Sequence, residues 1–288
     1  MISDTELLTH NNRGFIPGPQ ETEENYLKRI SCLEELAEDP QKFFSVAPPF
    51  PIKDRVRRQH WDLKRCDLKK IFHVSPDWLF AFYHNEKLPF WQAAATWVVV
   101  DPIHNVKLAL LQFRKRLKKG NYLGIYALDE IMAHEAVHAV RMAFDEPIFE
   151  EHLAYLTSSS TIRRIFGSIF RKSYEFVLLF LFMAGIITGI LFDAYTLFRF
   201  SYFLLFGLFS VNLVRLGIRH CYFLFCFKKL SKLTKEPFAV MLRLTDKEIS
   251  RFAKISLDEI QKTILQEKEK SLRWRVIYLA YFGFGNLS

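Results

Sequence analysis

Residues 176–192, FVLLFLFMAGIITGILF, run for seventeen positions without a charged side chain, and a second apolar stretch, LFRFSYFLLFGLFSVNLVRLGI, follows at 197–218. That length meets the lower end of what a helix needs to cross the hydrocarbon of a bilayer, and the flanks can extend it. The second stretch is interrupted by Arg199, Asn212 and Arg215. Both arginines lie toward its ends, where long side chains can reach the headgroups. Because only about four residues separate the two stretches, the sequence predicts an antiparallel transmembrane hairpin over 173–220 rather than a greasy helix pair in a soluble core.

The charge pattern fits that reading. The formal net charge is +9, which suits either nucleic acid or the anionic face of a membrane. Basic residues cluster beside the apolar stretches and no nucleic-acid signature accompanies them, so lipid is the expected partner and nucleic acid is not. Arg163, Arg164, Arg171 and Lys172 precede the first span, and Arg215, Arg219, Lys228, Lys229, Lys232 and Lys235 follow the second. The connecting loop has only Asp193 and Arg199, so positive-inside puts the soluble parts in the cytoplasm. The first thirty residues have neither a basic start nor an apolar core, and no cleaved signal peptide is expected there. The four cysteines (Cys32, Cys66, Cys221 and Cys226) lack C-x-x-C spacing and read as reduced, buried thiols.

The rest of the chain reads as mainly α with a small β-sheet. Residues 1–60 are expected to form a helical lead-in, loose up to about residue 20 and then helical to about Leu36 behind a Glu21 or Thr22 cap. A proline-rich connector (46–54) and a basic stretch (55–70) follow, and Ser75-Pro76-Asp77 looks like a helix start leading into WLFAFYH. TWVVVD (96–101) and VKLALLQF (106–113) read as two strands of a hairpin. Two helices come next, DEIMAHEAVHAVRMAF and IFEEHLAYLTSS, the second opened by Pro147. These elements make 61–172 a catalytic unit, and 221–288 a C-terminal cytoplasmic helical region with a helix opened at Thr245 or Ser256.

Chemistry concentrates at His134-Glu135-Ala136-Val137-His138. Histidines four apart on a helix lie about 40° apart around its axis, so both rings can reach one metal ion. Glu135 projects roughly 100° from the first histidine, beside the metal rather than on it, where it can take a proton from water. The following helix carries Glu150 and Glu151, and a glutamate returning from the next helix is one way to complete a three-ligand site with an open position.

At these residues, over about 106–160, the chain resembles the gluzincin branch of zinc metallopeptidases: HExxH on one helix and a ligand glutamate on a following one. The resemblance implies an α+β zincin-like catalytic domain holding Zn2+ through His134, His138 and Glu151, with Glu150 the alternative third ligand. It implies Glu135 as general base in hydrolysis of a peptide or protein substrate. Those families usually have an Asp four residues after the ligand glutamate, where this chain has Tyr155. Another carboxylate (Asp129, Glu130 or Asp145) or a backbone carbonyl would then have to orient a ligand histidine. Tyr155, His152 and Arg141 are the available oxyanion partners, and VKLALLQF, as an edge strand, would hold an extended peptide. A di-iron site needs a second ExxH, which is absent from the sequence. The charged flanks of the motif, from Asp129 to Glu146, argue against a site inside the bilayer. The non-enzymatic alternative is a catalytically inactive metal-binding membrane scaffold.

Overall fold

The computed structural model describes residues 2–39, 54–56, 68–101, 103–170 and 173–283. The proline-rich connector and most of the basic stretch after it lie outside these residues. The described elements are α1 (Asp4–Asn12), α2 (Glu23–Glu38), β1 (Phe80–Tyr83), β2 (Ala94–Val100), β3 (Lys107–Phe113), β4 (Asn121–Tyr122), β5 (Tyr126–Ala127), α3 (Leu128–Val140), α4 (Pro147–Tyr155), α5 (Thr161–Phe166), α6 (Ser173–Leu191), α7 (Tyr195–Leu230), α8 (Pro237–Leu242), α9 (Asp246–Phe252), α10 (Leu257–Glu267) and α11 (Leu272–Tyr281).

The main sheet has the order β1-β3-β2, parallel between β1 and β3 and antiparallel between β3 and β2. β3 is therefore the central strand, not an edge, which corrects the expectation for VKLALLQF. Its residues alternate between two apolar layers: Leu110 joins Leu36, Phe80 and Phe82 on one face, while Ala109, Leu111 and Phe113 join the main core with α3. A strand buried on both faces loses the alternation that marks a half-exposed one. The exposed edge belongs to β2. The segment WLFAFYH also differs from expectation, because Phe80–Tyr83 is a strand. Four consecutive buried residues of an aromatic run carry no period to separate strand from helix.

The first twenty residues are not loose. Ser3 caps α1, Phe15 and Ile16 are fully buried, and Phe15 stacks on Trp78 with ring centres 5.0 Å apart. Gly14 turns the chain after α1 at φ +82°, and a Cβ there would lie 3.2 Å from Val140 of α3. Asn11 accepts from the buried Arg243 guanidinium at 2.7 Å, and Arg275 pairs with Asp4, so the N-terminal segment is packed against the C-terminal one. The tail helices α9 and α10 are separate, each opened by its own capping box, Thr245 with Glu248 and Ser256 with Glu259.

α6 and α7 are both long and apolar enough to cross a membrane, with 11% of each apolar window buried. Their buried side chains include Ser201, Asn212 and Glu175, whereas Leu191, Phe192, Phe200, Phe203 and Phe206 are exposed. Leu216, Phe223, Cys226 and Leu230 of α7 are buried as well. The pair approaches closely at Gly185 and Gly189: a Cβ on Gly189 would lie 2.7 Å from the backbone nitrogen of Phe198, and one on Gly185 would collide with the Ser201 hydroxyl. α7 continues to Leu230 instead of ending near residue 218, and its last turns bury Phe223, Cys226 and Leu230 in the main core.

Replacing Gly189 by leucine should wedge the hairpin apart at a cost of about 1–3 kcal/mol. Thermal unfolding in detergent should show a midpoint several degrees below wild type; an unchanged midpoint would mean the helices do not meet on this face.

Candidate metal centre

α3 presents His134 and His138 on one face, and Asp129 and Glu130 in its first turn suit the positive end of the helix dipole. The chain reverses through Asp145, at φ +55°, and enters α4 at Pro147, whose missing N–H is no loss in a first turn. No side chain of α4's own N-cap closes the helix. Instead the Asp246 carboxylate, brought from α9, accepts from the backbone N–H groups of Ile148 at 2.6 Å and Phe149 at 3.0 Å. The buried Arg141 guanidinium donates to the carbonyls of Leu242 and Leu244, fastening the end of α3 to the same tail segment.

These elements bring His134, His138 and Glu151 together. The two Nε2 atoms lie 3.2 Å apart, and Glu151 places Oε2 3.5 Å from His134 and Oε1 3.4 Å from His138. A tetrahedral ion with ligand bonds of 2.0–2.1 Å has ligand–ligand edges of about 3.3–3.4 Å. The donor set suits an ion of that kind: one ligand atom from each of the three residues lies within 4.8 Å of the others, and a different Glu151 oxygen faces each histidine. Two imidazole nitrogens facing each other at 3.2 Å can share only one proton between them, which is what a bound cation would resolve.

The adjacent glutamates divide the work. Glu150 Oε1 lies 2.5 Å from His138 Nδ1, on the far side of the ring from Glu151. It thus takes the orienting position for which Asp129, Glu130 and Asp145 were considered. Glu130 is engaged with Arg163 at 3.1 Å and with Ser158, and Asp145 faces Lys107 at 3.6 Å. Glu135 is buried, with Thr96 of β2 donating to its carboxylate at 2.7 Å and to its backbone carbonyl at 3.1 Å. Thr96 was not singled out in the sequence. Its role depends on strand register and on how α3 lies over the sheet, and a lone threonine in a strand signals neither.

The groove over this cluster, about 800 Å³ in volume, is bordered by Thr96 and Val98 of the β2 edge and by Tyr155. Tyr155 packs edge-on against His134, with ring centres 4.6 Å apart. Of the three residues considered for the oxyanion, Tyr155 lines the groove beside the ligands. Arg141 also borders it but is committed to the tail carbonyls, and His152 is buried against His220 and Phe223 of α7. A second cluster of ligand types, Cys32, Asp101 and His104, lies outside this groove. There His104 Nδ1 already meets Asp101 at 2.5 Å, and burial with nearby Asp101 and Glu35 pushes the Cys32 thiol up to about 11, so it stays protonated.

Without an ion the ligand cluster is electrostatically uneven. Burial works against a charge on His138, but the Glu151, Glu150 and Glu135 carboxylates outweigh it and raise its pKa to about 10. Burial and the neighbouring His138 hold His134 well below its ordinary value. Burial also raises the Glu135 carboxyl, against the lowering influence of His138 and the Thr96 hydroxyl. Comparison with family models, curated proteins and solved structures finds no match to this chain.

Two outcomes are expected. Because His138 is protonated below about pH 10 in the ion-free protein and must release that proton to ligate, zinc affinity should rise about tenfold per pH unit through neutrality. Titration with a competing chelator from pH 6 to 9 measures this, and a flat profile would contradict the assigned charge. Asp246→Ala, which contacts no ligand, should weaken zinc binding through loss of the α4 cap and lower stability by about 1–2 kcal/mol.

Proposed function

We propose that this chain is a membrane-anchored zinc-dependent metallopeptidase of the gluzincin kind, with α6 and α7 crossing the bilayer and the soluble parts in the cytoplasm. The observation that carries the reading is the convergence of His134, His138 and Glu151 on one point beside the buried Glu135, in a groove bordered by a sheet edge. Both ends of the hairpin join one soluble body through a shared core, and the basic residues flank those ends rather than the loop.

Zinc held by the three ligands supplies a Lewis acid that polarises a carbonyl and lowers the pKa of water. Glu135 takes the proton of the attacking water and returns it to the leaving amine. Burial raises its carboxyl above the ordinary carboxylate value, which makes it a better proton acceptor. The Thr96 hydroxyl holds one carboxylate oxygen and leaves the other for this exchange. Glu150 fixes the His138 ring through Nδ1, which directs Nε2 at the ion. Tyr155, kept protonated by burial and by nearby Glu151, lines the groove and would be the donor to the developing oxyanion. The free edge of β2 offers backbone groups to an extended peptide.

Metal analysis paired with a peptide-cleavage screen tests this. Glu135→Gln should keep about one zinc per chain and lose about 10²–10⁴ in turnover, whereas Glu151→Gln should lose the zinc. Tyr155→Phe should retain zinc and lower kcat about 10²–10³-fold. Wild-type protein that binds zinc but cuts nothing would be the metal-binding scaffold; wild-type protein that binds no zinc under reducing conditions would defeat the reading.

A further inference from the structure

The groove is not walled by the soluble domain alone. Trp91, just ahead of β2, stacks toward Phe176 with ring centres 6.1 Å apart and meets Phe180 at 5.6 Å; Phe90 meets Phe180 at 5.7 Å and is itself 61% exposed. Phe176 and Phe180 belong to the apolar window of α6 that begins at Tyr174. Phe176, Trp91 and Phe170 line the same groove as His134, Glu135 and Glu151. One end of the groove is thus the first turn of a membrane-spanning helix.

Two spacings along the chain bound how far the ligand cluster lies from the apolar segments. On α7, His220 and Phe223 pack against His152 of the ligand helix α4, at 6.2 and 5.7 Å between ring centres. They stand five and eight residues beyond Arg215, or about 8–12 Å along the helix axis. Thr96, which holds Glu135, lies in the third position of β2, five residues beyond Trp91, so at most about 17 Å of chain separates them. Both distances amount to roughly three to five residues of extended chain.

We infer that the substrate class is the juxtamembrane segment of another membrane-anchored polypeptide, entering the groove beside Trp91 and Phe176 and cut within about ten residues of its own span. The inference rests on the peptidase and membrane readings proposed above. A chain emerging from the bilayer next to α6 meets the start of the β2 edge at once, and can add to that edge on its way to Glu135. Tethering to the same membrane also replaces a bimolecular encounter by an intramolecular one, worth a factor of about 10²–10⁴ in apparent affinity. A soluble peptide has neither advantage, and one end of its groove is closed by lipid and by aromatic side chains.

The full-length zinc-loaded protein, reconstituted in phosphatidylcholine–phosphatidylglycerol vesicles, would be given one degenerate twelve-residue library in three forms. These are free in solution, placed directly after a single apolar span in the same vesicles, and placed thirty residues after that span. Mass spectrometry of the products reads the cut sites. The span-adjacent library should be cut at least about tenfold faster than the other two. Equal cutting of the free or the distant library overturns the inference and leaves the peptidase reading standing. Absence of cutting in all three, with zinc bound, overturns the peptidase reading and this inference with it.

Discussion

α4 is a helix of nine residues that carries both glutamates of the metal cluster, and it cannot hold its own N-terminus. A helix this short is marginal in isolation, since the cost of nucleation is spread over two turns of hydrogen bonds. The carboxylate of Asp246 supplies what is missing by accepting from two N–H groups in the first turn. The end of α3 depends on the same stretch of chain, because the Arg141 guanidinium is buried against the Leu242 and Leu244 carbonyls. Both helices of the cluster are therefore fixed by a segment that the chain reaches only after passing through α6 and α7. The hairpin is an insertion within the site's own scaffold, and a truncation before it would leave the ligand helices uncapped and unfastened.

The electrostatics follow from that rigidity. Three carboxylates, one buried and two partly buried, stand around two partly buried imidazoles, which is costly unless positive charge is present. In the ion-free protein a proton on His138 provides it, and the raised pKa of that residue records the demand. Adjacent residues on a helix diverge by about 100°, so Glu150 and Glu151 do not compete for one position. They bracket His138 from opposite sides, one holding the ring by Nδ1 and the other meeting Nε2. Tyr155, four residues after Glu151, packs its ring edge-on against His134 on the remaining side of the cluster.

The sequence makes some of this legible and hides the rest for identifiable reasons. His134 and His138 share a face by helical period alone, and the hairpin follows from the length of its apolar runs, so both are local properties. The choice between Glu150 and Glu151 is not local, because it depends on how far α4 is rotated against α3. The strand Phe80–Tyr83 was masked by a short aromatic run that suits either regular structure. The packing of the first twenty residues is hidden because Asn11 and Asp4 meet Arg243 and Arg275, more than two hundred residues away. Thr96 gains meaning only once β2 is known to be the edge and α3 to lie over it.

α7 ties these levels together. Thirty-six residues of continuous helix extend about 54 Å, more than the roughly 30 Å a bilayer's hydrocarbon would take up, and its last turns run into the main core. There Phe223 meets Phe149 and His152 of α4, while Cys226 and Leu230 sink into the core. A helix packed at one end against the ligand helix and at the other against α6 through Gly185 and Gly189 leaves little freedom for the groove to tilt or rise relative to the apolar belt. Phe90 and Trp91 add a second anchor on the opposite side of the groove. Two anchors fix both the height and the tilt of the β2 edge, whereas a flexible tether would fix neither. The residues that pack this domain against its hairpin therefore also set where the β2 edge and Glu135 lie relative to α6.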